Sequence, residues 1–245
     1  MIKTFSISNV GKRRKQNQDY LFTSEEPVGK LPNLFIIADG MGGHNAGDYA
    51  SKVTVETMVA DISEGLVEEP VESLRHALYV ANGVVYSRSL EDKKLNGMGT
   101  TVVAATCIGD VLEVLNVGDS RLYVINKREI RQITRDHSYV EEMVRHGEID
   151  ESDARNHPKK NIILRAVGVT DYVEGDIFSV RLNEGDIVLL CTDGLTNEVP
   201  DEEIRMIINA SRDVVEGAEN LVNAANLNGG RDNVSVILID AAGQK

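Results

Sequence analysis

The chain has 245 residues, a length that one hydrophobic core can organise, and its 42% apolar and 27% charged residues exclude a disordered or fibrous protein. A formal net charge of −13, with no Trp and only 4% aromatics, argues against general attraction to nucleic acids or anionic membranes and leaves no platform for stacking bases. Only two cysteines occur, Cys107 and Cys191, each inside an apolar run. Both are expected in the core of a protein from a reducing compartment.

The opening stretch, MIKTFSISNVGKRRK, lacks the apolar segment of a signal peptide, and no apolar run is long enough to span a bilayer. A cytoplasmic location is therefore expected. After the basic run Lys12-Arg13-Arg14-Lys15 comes Asp19, just before the short strand signal YLFT. LFIIA (34 to 38) reads as a second strand and runs into Asp39-Gly40 and the glycine cluster ADGMGGH. Helical periodicity follows from Gly47 to Ile62 and, after Pro70, from Val71 to Leu90. TVVAATCI (101 to 108) and VLEVLNV (111 to 117) are strands broken at Gly109-Asp110, a hairpin signal, and RLYVIN (121 to 126) continues the up-and-down pattern beyond Asp119. The polar segment 138–164 interrupts the strands and reads as an inserted flap, either a surface excursion or a device that sorts substrates. IVLLC (187 to 191) runs into Asp193. Helices then follow from Asp201 to Asn209, with acids in the first turn, and from Val214 to Asn226; the strand VSVILI (234 to 239) follows Asp232. Strands and helices fall in groups and do not alternate. The pattern favours antiparallel sheets covered by helices, in one domain over 1–245.

The aspartates are the informative feature. Asp39, Asp119 and Asp193 end apolar strands, while Asp19 and Asp232 precede strands. In antiparallel sheets the start of one strand lies on the rim where its neighbour ends, so all five can converge. Any one alone is ordinary turn chemistry. Five gathered carboxylates would repel one another unless they held hard cations, and an all-oxygen set suits Mg²⁺ or Mn²⁺. The Gly40 carbonyl is a candidate further ligand. Two such ions about 4 Å apart can generate a hydroxide nucleophile and draw charge from a phosphoryl group. A fork of donors for phosphate is best supplied by Arg14, whose planar guanidinium can take two oxygens. Cys191 is followed by TDGLT with no basic cradle, so a thiolate mechanism is not supported.

RxxNQD (Arg14 to Asp19), DGMGGH (Asp39 to His44), GMGTT (Gly97 to Thr101), GDSR (Gly118 to Arg121), TDG (Thr192 to Gly194) and GGRDNVS (Gly229 to Ser235) occur in this order. The sequence resembles the protein phosphatase 2C-like, metal-dependent serine/threonine phosphatases over essentially its whole length. The resemblance implies an α+β fold, a four-layer α-β-β-α sandwich of two mainly antiparallel sheets with helices on both outer sides. It implies two Mn²⁺ or Mg²⁺ ions per site: Asp39 bridging them, Gly40 giving its carbonyl, Asp193 and Asp232 holding one ion, and Asp19 steadying the other's water shell. Arg14 would hold the substrate phosphate, and Asp119 would serve a third, weaker ion. Many eukaryotic relatives carry a histidine where this chain has Met41, which leaves the proton donor unassigned; His44 is the candidate. Direct attack by a metal-bridging water on phosphoserine and phosphothreonine is implied, in a compact bacterial enzyme that opposes a serine/threonine kinase. Phosphoproteins are the expected partners of a monomer. A silent phosphoprotein-binding module, or a small-molecule phosphatase or nuclease using the same two-metal chemistry, is the alternative reading.

Overall fold

The computed structural model describes residues 2–42, 46–155 and 157–241. In chain order it begins with strands β1 (Lys3–Asn9), β2 (Asp19–Ser24) and β3 (Leu34–Met41), followed by helices α1 (Ala46–Glu64) and α2 (Pro70–Glu91). A short strand β4 (Gly99–Thr100) leads into β5 (Val102–Ile108), β6 (Val111–Val117), β7 (Arg121–Ile125) and β8 (Ile130–Gln132). Two short helices, α3 (Tyr139–Arg145) and α4 (Glu151–Ala154), lie in the expected flap. The chain closes with β9 (Asp176–Arg181), β10 (Ile187–Cys191), the single turn α5 (Asp193–Thr196), α6 (Asp201–Ala210), α7 (Val214–Asn228) and β11 (Val234–Asp240).

Strands pair antiparallel in two sheets, in the orders β1-β11-β10-β7-β8 and β2-β3-β5-β6-β9, with β4 added to β3. Alternation along each strand then builds the layers. Phe35, Ile37 and Val103 point between the sheets and meet Leu190, Ile237 and Ile239. Their neighbours Ile36, Ala38 and Ala104 point outward against Val55 and Met58 of α1 and Leu74 of α2. On the other side Leu189, Cys191 and Leu238 pack on Ile204 of α6 and Leu221 and Ala225 of α7. Both faces of the central strands are buried, which is why they read as continuous apolar runs. The result is the expected four-layer sandwich. Cys107 and Cys191 are free and fully enclosed, and burial pushes the Cys107 thiol up to about 12 and raises that of Cys191 as well.

Three local expectations change. The hairpin at Gly109-Asp110 is present, but the pattern does not continue up and down within one sheet beyond it. β6 belongs to one sheet and β7 to the other, and the chain crosses through Gly118 at a φ of +103°, a conformation that favours glycine. Asp39 lies inside β3 and does not end it, and Asp193 opens the helical turn α5. β1 and β9, with the sequences KTFSISN and DIFSVR, carry too few apolar residues to stand out; they line opposite sheets as edge strands.

Candidate metal centre

β2 and β3 pair so that Asp19 stands directly opposite Asp39. Directly opposed like charges destabilise a sheet, so this register asks for a compensating group. Asp39 is held through its backbone: its N–H donates to Thr101 Oγ1 (2.9 Å), and its carbonyl accepts from the Thr101 N–H (2.9 Å) and the Thr100 hydroxyl (2.8 Å). The GMGTT segment thus positions the aspartate without using its carboxylate. Asp19 is buried at the seam of the two sheets, where Oδ2 accepts from Thr192 Oγ1 (2.9 Å) and Ser235 Oγ (2.6 Å) of the opposite sheet's strand ends.

Asp193 and Asp232 come from that opposite sheet. Asn197, one turn along α5, donates from Nδ2 to Asp193 Oδ2 (2.9 Å) and accepts the Lys160 ammonium on Oδ1 (2.8 Å). The return limb of the flap therefore leans on the turn that carries Asp193. Asp232 Oδ1 accepts from the Asn233 N–H (2.8 Å), and its Oδ2 accepts from the Arg14 guanidinium (2.7 Å). Asn233 is the tie of the site: its side chain accepts from the Gln18 N–H and donates to the Val10 and Gln16 carbonyls, 2.9 Å each.

Two close backbone approaches make this convergence possible. A Cβ on Gly40 would lie 1.9 Å from the Gly47 carbonyl oxygen, and one on Gly194 would lie 1.9 Å from that of Asn233. No side chain fits at either position. Gly40→Ala is expected to destabilise the fold by about 3 kcal/mol, because backbone has to yield on both sides, and a lowered urea midpoint measures it.

Four of the five aspartates are raised, and Asp232 acts on three of them. Burial, then Ser235 and Thr192 acting the other way, then Asp193 and Asp232, place the Asp19 carboxyl at about 7. Asp193 is lifted to about 6 by burial and by Asp232, against the pull of a hydrogen bond with Asp39. Asp39 is raised well above the usual carboxylate range by burial and then by Asp19, Asp193, Asp119 and Asp232. Asp119, at the crossing between the sheets, is raised by burial, Asp193 and Asp136, with Arg121 opposing. His44 lies outside the described residues.

Among the described residues no group of three or more acids, histidines or thiols is drawn together closely enough to hold a metal ion as it stands. The donor chemistry fits hard cations nonetheless. Asp19 Oδ1 and Asp193 Oδ1 are buried with no hydrogen-bond partner, and a buried oxygen of that kind is costly unless a cation or water takes it. Carboxylates that hold one another's protons would release them to a divalent ion. The residues that sequence reasoning missed are the supports: Thr101, Thr192, Asn197, Asn233 and Ser235. The motifs GMGTT, TDG and GGRDNVS contain four of them, but polar residues beside glycines carry no signal of their own.

Comparison with known proteins places the chain in a family. Residues 11–229 match the family described as Protein phosphatase 2C. The serine/threonine phosphatase stp of Listeria monocytogenes is 44% identical over 211 residues, covering 84% of each chain. The crystal structure of the serine/threonine phosphatase Stp1 from Staphylococcus aureus superposes with a TM-score of 0.91 at 34% identity, covering 98% of this chain and 94% of that one. The catalytic domain of the serine threonine protein phosphatase PstP, in complex with two manganese ions, does so with a TM-score of 0.86 at 30% identity, covering 98% and 97%. This chain belongs to the protein phosphatase 2C family and, within it, to the serine/threonine phosphatases of the bacterial type.

Proposed function

We propose that the protein hydrolyses phosphoserine and phosphothreonine in proteins, with Mn²⁺ or Mg²⁺ as cofactor. The observation that carries this reading is the cluster of mutually raised carboxylates around Asp39, with orphaned oxygens on Asp19 and Asp193. Asp39, the Gly40 carbonyl, Asp193 and Asp232 would hold two ions, Asp19 would order water around one of them, and Asp119 would take a third, weaker one. When bound, such ions supply an activated water and neutralise charge on the phosphoryl oxygens.

The chain's own residues do the rest. Arg14, half exposed beside Asp232, presents a planar guanidinium from the rim and binds the substrate phosphate. Thr100 and Thr101 hold Asp39 in place, and Asn197 orients Asp193. His44 is the chain's candidate for protonating the departing serine or threonine oxygen. The whole chain acts as one catalytic domain with residues 138–164 as a flap over the site. We read it as a monomeric cytoplasmic enzyme that reverses a serine/threonine kinase; among the described residues no helix is long and apolar enough to cross a membrane.

The test is phosphate release from a phosphothreonine peptide with Mn²⁺, abolished by chelator; no metal-dependent turnover on any phosphopeptide overturns the reading. Arg14→Ala is expected to raise KM about tenfold or more, the worth of a lost charge-assisted contact, and Arg14→Lys is expected to recover only part of it. Thermal stability should change little, because a half-exposed ion pair contributes at most about 1 kcal/mol. Steady-state kinetics and a melting curve on the same preparation separate the two effects.

A further inference from the structure

Lys12, Arg13, Arg14 and Lys15 follow one another on the loop between β1 and β2, and all four are exposed. No other stretch of the chain sets more than two basic residues in succession, and the whole molecule carries a formal charge of −13. This loop is fixed in place. The Lys12 and Arg13 N–H groups both donate to the Gly230 carbonyl, at 2.7 and 3.1 Å, and Asn233 Nδ2 grips the Val10 and Gln16 carbonyls on either side of the basic run. The cations are thereby clamped alongside the loop that carries Asp232.

Only Arg14 directs its charge at the site, through Asp232. Among the described residues no carboxylate forms an ion pair with Lys12, Arg13 or Lys15. Fixed, solvated and unneutralised cations beside a catalytic rim act on whatever flanks the group being processed. Their field is local, since it falls off over about 10 Å at ordinary ionic strength, while the rest of the surface repels anions. Nucleic acid fits this edge poorly, because no aromatic side chain interleaves with the cations.

We propose that Lys12, Arg13 and Lys15 form a docking edge that selects phosphoserine and phosphothreonine segments flanked by aspartate and glutamate. The proposal rests on the phosphatase reading and names its preferred substrate class. Long-range repulsion by a −13 molecule disfavours acidic proteins in general, so the edge favours only those whose acids lie beside the phosphorylated residue.

The experiment compares two phosphothreonine peptides of equal length, one with glutamates and one with lysines around the phosphothreonine. kcat/KM is measured with Mn²⁺ at low and high salt. The intact protein is expected to prefer the glutamate peptide roughly 3- to 10-fold at low salt, with the preference shrinking towards unity as salt screens it. K12Q/R13Q/K15Q should abolish the preference, and K12E/R13E/K15E should invert it towards the lysine peptide. Each ratio is taken on one preparation, so a loss of folded enzyme cancels. Equal turnover of the two peptides by the intact protein, or a ratio unmoved by both variants, overturns the proposal and leaves the phosphatase reading standing. No turnover of either peptide removes the phosphatase reading, and this one with it. Binding of a labelled oligodeoxythymidine that is lost in K12E/R13E/K15E, with the peptide ratio unmoved, would make the edge a nucleic-acid surface instead.

Discussion

Asp39→Asn is expected to lower turnover of a phosphothreonine peptide by at least about 10²- to 10³-fold, while the folded chain without metal becomes more stable. The substitution keeps size and shape and removes one charge. The backbone hydrogen bonds of residue 39 to Thr100 and Thr101 are left intact, so the strand is held in place. The carboxylate it removes is the one most crowded by others, with Asp19, Asp193, Asp119 and Asp232 all acting on it. In the proposed two-ion reading, losing it weakens cation binding at the centre of the cluster, and with it the charge neutralisation on which phosphoryl transfer depends. Losing it also relieves like-charge repulsion, and a melting temperature a few degrees higher in chelator would report that relief. Turnover near that of the intact protein would sink the assignment; lost turnover with an unfolded chain would point to structure instead.

The second large effect is a pH dependence whose sign depends on metal. In the folded chain Asp19 titrates near 7 and Asp193 near 6, against an ordinary value of 3.8. Between about pH 4 and pH 7 the unfolded chain has therefore released protons that the folded chain still holds. Stability without metal must then fall as pH rises through this window. The groups are coupled, so the loss belongs to the cluster and amounts to several kcal/mol at most. With Mn²⁺ the trend opposes this, since ligand carboxylates must be deprotonated and the bound ion stabilises only the folded chain. Melting temperatures in chelator and in Mn²⁺ should nearly coincide near pH 5 and diverge steadily towards pH 8. Parallel curves across this range would show that the acids do not share a cation.

The part of this architecture legible in the sequence is the part encoded by local pattern. Val- and Ile-rich runs such as Leu34 to Ala38 and Ile187 to Cys191 mark the strands buried on both faces, and α1, α2, α6 and α7 lie within a few residues of their periodic segments. β1 and β9 escape because an edge strand such as KTFSISN buries little, and little burial leaves little pattern. The step from β6 to β7 reads as one more hairpin because a turn signal says where a chain reverses, not which sheet it joins. At the site, the apolar runs that the aspartates adjoin were readable, but the supports of the aspartates were not. Thr192 and Ser235 reach Asp19 across 173 and 216 residues, and Asn233 reaches Gln18 across 215, distances over which no periodicity operates.

Those spans have a consequence for how the enzyme comes into being. β11 is the last strand among the described residues yet occupies an interior place in its sheet, between β1 and β10, and Asp232 and Asn233 lie just ahead of it. Without residues 232–240, β1 lacks its pairing with β11, Asp19 lacks Ser235, and Arg14 lacks Asp232. The cluster of aspartates is therefore incomplete in any chain that stops short of residue 232, however well its earlier strands have formed.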